Sequence, residues 1–171
     1  ILMDWSPDDQ TIIYATAEQV SDNGFNALLT VWAVDIESGE TKSLYPARAG
    51  KESIYGWIDS CTFIVGAYGF ESPHWGLSRV NIAQPGLQSL MEGYFDIADL
   101  NPATGTILLQ INGVFFWEPN IPKGIYRLDT QNGRIEMEIA GENLSLRGWL
   151  TEINAFTIYD NGTDQVIFLS P

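Results

Sequence analysis

The sequence predicts an all-β fold, a β-propeller segment of about four blades with four antiparallel strands each and the last blade lacking its outer strand. Two independent registers share one period of roughly 40–50 residues, and a recurrent turn chemistry accompanies them. The first register opens at Trp5-Ser6-Pro7-Asp8-Asp9-Gln10-Thr11-Ile12 and returns without a gap at Leu100-Asn101-Pro102-Ala103-Thr104-Gly105-Thr106-Ile107. Trp149-Leu150-Thr151-Glu152-Ile153-Asn154-Ala155-Phe156 keeps its apolar frame, and Trp57-Ile58-Asp59-Ser60-Cys61-Thr62-Phe63 keeps it with one residue deleted. The anchors Trp5, Trp57, Leu100 and Trp149 stand 52, 43 and 49 residues apart. The second register is an alternating strand running into an Asx or Ser turn. Asp35, Asn81 and Asp129 are each followed by a Gly, and Ser170 holds the fourth place. A short polar side chain there bonds its own backbone while Gly supplies the positive φ.

Laid on blades, the strands follow in order. Blade one takes Leu2–Trp5, Thr11–Thr16, Leu28–Asp35 and Thr41–Leu44, and blade two takes Ser53–Trp57, Thr62–Ala67, Gly76–Asn81 and Leu87–Met91. Blade three takes Gly93–Ala98, Thr106–Ile111, Gly124–Asp129 and Arg134–Ile139. Blade four takes Ser145–Trp149, Ala155–Asp160 and Gln165–Leu169. The blades therefore span approximately 1–46, 47–92, 93–141 and 142–171, read as one propeller segment and as a fragment of a longer chain. The three Trp anchors are expected near the ends of inner strands, packed against an adjacent blade. The bare faces of the terminal blades call for self-association or for further blades of a parent chain.

Composition narrows the function classes. Acidic residues outnumber basic ones 22 to 8, giving a net charge of −14. That opposes phosphate-backbone binding, which rests on Lys and Arg contacts, so no nucleic acid is expected. It equally opposes an anionic membrane surface, and no apolar run approaches 18 residues, so no membrane insertion is expected. A solvated acidic surface accounts for the charge. The single cysteine, Cys61, falls in a turn of the repeat frame and has no internal disulfide partner.

Trp5-Ser6-Pro7-Asp8-Asp9 followed by Ile12-Ile13-Tyr14-Ala15-Thr16 resembles the "WSPDG" strand-turn-strand signature of TolB-type propeller repeats. Such repeats also occur in the propellers of prolyl-oligopeptidase and dipeptidyl-peptidase proteins and in oligogalacturonate lyases. Asp9 replaces the final Gly, and the second and fourth repeats lack the Ser-Pro-Asp core. The resemblance implies the fold and a periplasmic or extracellular setting. Its members do different things, so it implies no single activity.

The chemistry-bearing motifs are sparse. His74 is the only histidine, and no Gly-x-Ser-x-Gly elbow accompanies it, so a loop histidine beside Trp75 is the simpler reading and no catalytic residue is assigned. One His and one Cys give no zinc spacing, and no metal or cofactor is expected. Asp22-Asn23-Gly24 and Asp160-Asn161-Gly162-Thr163-Asp164 look like starts of calcium loops but lack the bidentate Glu, and read as hairpin turns. Asn143-Leu144-Ser145 and Asn161-Gly162-Thr163 fit the N-glycosylation sequon. Glu71, Glu118 and Asp160 are acids without a reason to pair. The best lead is the set of second-to-third-strand connections, about 17–27, 68–75 and 112–123, which share one end of the blades. Phe25, Tyr68, Phe70, His74, Trp75, Phe116, Trp117 and Glu118 on them form the candidate ligand-binding set. The same aromatics could instead seal gaps between blades. The expected function is a non-catalytic binding or scaffolding module for a protein, peptide or polysaccharide. The alternatives are the substrate-filtering propeller of a prolyl-oligopeptidase-like multidomain hydrolase and a sugar-processing propeller enzyme.

Overall fold

Strands dominate because the sequence alternates apolar and polar residues and punctuates each run with an Asx or Gly turn. The computed structural model describes residues 3–19, 27–49, 51–68, 74–111 and 122–171. The first sheet comprises β1 (Met3–Trp5), β2 (Thr11–Gln19), β3 (Ala27–Asp35) and β4 (Thr41–Ala49). The second comprises β5 (Lys51–Trp57), β6 (Thr62–Tyr68), β7 (His74–Asn81) and β8 (Leu87–Phe95). The third has β9 (Ile97–Asn101), β10 (Thr106–Ile111), β11 (Gly124–Asp129) and β12 (Ile135–Ala140). The fourth has only β13 (Leu144–Leu150), β14 (Ala155–Asp160) and β15 (Gln165–Leu169). Strands follow sequence order in every sheet, as propeller blades require. Among the described residues the sole helical element is a 3₁₀ turn at Thr151–Ile153.

The chain divides into two compact units, Ile1–Glu92 and Gly93–Pro171. In the first, the two-residue strand period sends Ile13, Val31 and Ala33 of one sheet against Trp57, Phe63, Val65 and Val80 of the next. In the second, Leu108 and Ile125 meet Leu144, Leu146, Phe156 and Ile158. Fully burying one such side chain stabilises by about 1.5–3 kcal/mol, so these inter-sheet faces carry the fold. The anchors repeat in detail. Trp57 lies 5.1 Å from Phe63 in a tilted pair, and Trp149 lies 5.0 Å from Phe156 edge-on.

Turn chemistry matches both registers. Ser6 Oγ donates to Asp8 (2.6 Å) and accepts from the Thr11 amide (2.9 Å), and Asp9 takes the left-handed φ of 57° that Gly would fill in the full signature. Gly105 (φ 69°) and Asn154 (φ 50°) take the left-handed conformation one position later in the frame, immediately before β10 and β14. On the second register, Asp35 accepts the Ser38 amide and hydroxyl, both at 2.8 Å, and Asp129 accepts the Gln131 amide at 2.7 Å. Asn81 accepts the Ala83 amide at 2.8 Å. Cys61 is an exposed turn residue whose amide donates to Asp59 at 2.8 Å.

Two inner strands are bulged. The β5–β6 register shifts between Ile54 and Gly56, and the β13–β14 register shifts between Leu146 and Gly148. Gly56 (φ 140°) and Gly148 (φ 119°) supply the backbone that a side chain rarely adopts. The Trp149 amide freed by the second bulge donates to the Asp99 carboxylate of β9, and the Gly148 carbonyl accepts from Thr157 Oγ1 at 2.9 Å. Immediately before the four anchors the chain thus reads Asp4, Gly56, Asp99, Gly148.

Several expectations change, among them the bounds of β4, which runs to Ala49 rather than Leu44, of β5, which starts at Lys51 rather than Ser53, and of β12, which spans Ile135–Ala140 rather than Arg134–Ile139. The inner strand of blade three is Ile97–Asn101, not Gly93–Ala98, because β8 continues to Phe95 and the chain joins β10 at once through the Asp96 amide and Gln110 carbonyl (2.8 Å). The hairpins β2–β3 and β6–β7 also run further than the sequence reading placed them, since their ladders hold to Gln19↔Ala27 and Tyr68↔His74. Finally, Trp57 is 6% exposed but Trp5 is 46% exposed, because no sheet among the described residues lies against its face.

Candidate functional site

The sequence reading assigns the candidate binding set to the second-to-third-strand connections of the first three sheets. Phe25, Phe70, Phe116, Trp117 and Glu118 lie outside the described residues, as do Asp22-Asn23-Gly24 and Glu71. Tyr68, His74 and Trp75 fall inside strands rather than in a connection. Tyr68 is paired directly with His74, Ala67 with Trp75, and a register shift sits between Gly66 and Ala67. Lys51 of the inner strand pairs with Tyr68 on its other side, so Lys51, Tyr68 and His74 form one row across the sheet. A hydrogen-bonded ladder therefore fixes the backbone of three adjacent positions bearing an amine, a phenol and an imidazole.

The foot of the 112–123 connection is tied down from several sides. The buried Tyr126 hydroxyl donates to the Pro122 carbonyl, and burial pushes its phenol pKa up, so it stays protonated as a donor. The Lys123 carbonyl accepts the Gly141 amide at 3.0 Å, and the Lys123 ammonium pairs with Glu142 at 3.5 Å. Gly124 permits this closure, since a Cβ there would run into the Ile139 carbonyl oxygen.

Nearby, the Asp160–Asp164 turn is closed on itself. Asp160 accepts the Gly162 amide and the Thr163 hydroxyl, both at 2.8 Å. These bonds, the hydroxyl's first, hold the Asp160 carboxyl below its ordinary value. Asn161 donates both its amide (2.9 Å) and its side chain (2.7 Å) to the Asn143 carbonyl. Each Asp160 carboxylate oxygen thus accepts one hydrogen bond from within the turn. Among the described residues, no group of three or more His, Cys, Asp or Glu is gathered as metal donors.

The sequence reading missed one concavity at the opposite end of the first two sheets. A cleft of about 240 Å³ is lined by Thr11, Ala33, Asp35, Ser38, Glu40, Lys42 and Ile82. Its signal was hidden because turn residues were read only as turns. Asp35 is indeed committed to its turn, and the Ser38 amide and hydroxyl hold its pKa down.

No protein-family model matches the chain, and no curated protein matches it in sequence. Solved structures do match in fold. TolB from Acinetobacter baumannii superposes over 100% of this chain and 43% of its own, at 13% identity and a TM-score of 0.57. One of two prolyl endopeptidases studied for inter-domain dynamics in catalysis and specificity superposes over 100% of this chain and 26% of its own, at 14% identity and 0.66. An oligogalacturonate lyase in complex with manganese superposes over 98% of this chain and 52% of its own, at 12% identity and 0.59. The chain thus spans well under two thirds of each of these proteins. At such identities the likeness establishes a TolB-type propeller fold and no more.

Proposed function

We propose that these blades form a non-catalytic binding module that recognises a protein, peptide or polysaccharide at the end of the sheets carrying the second-to-third-strand connections. The observation that carries this reading is the tethered foot of the 112–123 segment. Tyr126, Lys123 and Gly124 tie down the residues that follow this segment, which supports the choice of Phe116, Trp117 and Glu118, carried on it in sequence, as binding residues. Aromatics on a fixed scaffold bind at low entropic cost. The ladder-fixed row of Lys51, Tyr68 and His74 adds polar groups at the same end of its sheet. Screening wild type and Phe116→Ala/Trp117→Ala on peptide and glycan arrays tests it. The double variant should lose at least about tenfold in affinity for whatever the wild type retains, because each buried aromatic anchor carries more than about 1 kcal/mol. Unchanged binding with an intact fold overturns it.

A second reading has its own support. The prolyl endopeptidase likeness has a TM-score of 0.66 with 26% of that chain covered, which suits a propeller that filters substrate for a hydrolase domain. Extending the reading frame and finding an α/β domain with a Gly-x-Ser-x-Gly elbow would select it. A sugar-processing role draws its support from the oligogalacturonate lyase likeness alone. Assembly with further blades engages a different surface, the flat faces of the sheets.

A further inference from the structure

The cleft beside the Asp35 turn lies within one compact unit, since its walls from the first sheet and Ile82 after β7 all belong to Ile1–Glu92. Its volume of about 240 Å³ equals that of roughly eight waters at about 30 Å³ each. That is room for a small molecule, not for a chain segment.

The ladder of the first sheet builds its walls. Lys42 pairs with Ala33, and Ala33 with Ile13. Two positions along, Asp35 pairs with Thr11 and donates its amide to the Glu40 carbonyl at 3.0 Å. Residues two apart on a strand share a face, so Glu40 and Lys42 are neighbours on the side that holds Ala33. Ala33 is buried and Ile82 packs against the same core, so the floor is apolar.

The charges above that floor are unevenly satisfied. Asp35 already accepts the Ser38 amide and hydroxyl. The Glu40 carboxylate and the Lys42 ammonium enter no ion pair among the described residues, with each other or with any third group. Small-molecule sites combine an apolar lining with a few convergent polar groups. A free ammonium and a free carboxylate side by side over an apolar floor complement a zwitterion that carries an aliphatic group.

We propose that this cleft binds a free α-amino acid with a small aliphatic side chain. Lys42 takes the α-carboxylate, Glu40 takes the α-ammonium, and Ala33 and Ile82 take the side chain. A peptide holds its terminal charges at least one residue further apart, about 3.8 Å for each added Cα, and is the poorer match. The proposal is independent of the reading of the second-to-third-strand connections, which lie at the other end of these sheets.

Titration of the chain with L-valine, followed by backbone amide NMR, tests it. The amides of Thr11, Asp35 and Lys42 should shift and saturate below about 10 mM valine. Valinamide lacks the carboxylate and N-acetylvaline lacks the ammonium, so each should bind at least about tenfold more weakly. Lys42→Gln should bind valine no better than valinamide, and Glu40→Gln no better than N-acetylvaline. Both positions are exposed, and circular dichroism should show an unchanged fold. Shifts that fail to saturate below about 10 mM overturn the proposal. So does wild-type binding of valinamide or N-acetylvaline as tight as that of valine, and so does undiminished valine affinity in a folded Lys42→Gln variant.

Discussion

Trp5, Trp57 and Trp149 occupy one place in the repeat yet meet three environments, and the difference lies in what stands opposite. Trp57 packs on Phe63 inside a core shared by two sheets. Its replacement by Ala should cost on the order of 3–5 kcal/mol in urea denaturation. Trp5→Ala in the isolated single chain should cost less than about 1 kcal/mol, as surface changes do. The repeat frame made the positions legible but could not reveal which neighbours would be present. Turn carboxylates were legible too, because an Asp followed closely by Ser and Gly has few other uses. The Ser38 amide and hydroxyl hold the Asp35 carboxyl below the ordinary carboxylate value, and the Ser6 hydroxyl does the same for Asp8. A depressed folded-state pKa contributes stability that is present above the unfolded value and lost as pH falls through the folded one. Carboxyl NMR titration should therefore find both residues titrating below an ordinary Asp, and Ser38→Ala should move Asp35 upward while leaving Asp8 in place.

At the scale of strands and turns, alternation and turn residues located the fifteen strands seen among the described residues, and the errors lay in their bounds. Hairpin β2–β3 outran its reading because Ala17 and Glu18 near its tip carry weak strand preference while the ladder supplies the bonds, and β6–β7 because Tyr68, His74 and Trp75 were assigned to a connection although the ladder pairs them. The inner strand of blade three was misplaced because Gly93 resembles a strand start. Its φ of 129° instead lies inside β8. Gly124 is the element-scale position most sensitive to change, since a Cβ there would strike the Ile139 carbonyl. Gly124→Ala should cost on the order of 1–3 kcal/mol in chemical denaturation and loosen the β11–β12 pairing at its first residue. Protection of the Gly141 amide against hydrogen exchange, which depends on the Lys123 carbonyl beside it, should fall in the same variant.

For the whole chain, the predominance of acidic residues makes stability depend on salt. A net charge of −14 repels itself, and only a few ion pairs, such as Arg127–Glu138 at 2.5 Å, oppose it among the described residues. Raising salt from about 10 mM to about 150 mM shortens the screening length from about 30 Å to about 8 Å, so the urea midpoint should rise. A falling midpoint would mean that ion pairs dominate instead. Function was far less legible than fold at this scale, since the propeller frame is written in apolar spacing, whereas the proposed binding residues Phe116 and Trp117 follow no period. The residue before each anchor, alternating Asp4, Gly56, Asp99 and Gly148, holds a different kind of information. Its period is two blades: Trp5 and Leu100 lie 95 positions apart, Trp57 and Trp149 lie 92 apart, and the compact units divide at Glu92 and Gly93. The bulged Gly-Trp strands fall second in each pair, and the unbulged Asp strands with Pro two residues past the anchor fall first. The inner strands therefore alternate in kind, an unbulged Asp strand followed by a bulged Gly strand once in each compact unit, so a side chain introduced at Gly56 or Gly148 should strain the backbone where one at Asp4 or Asp99 does not.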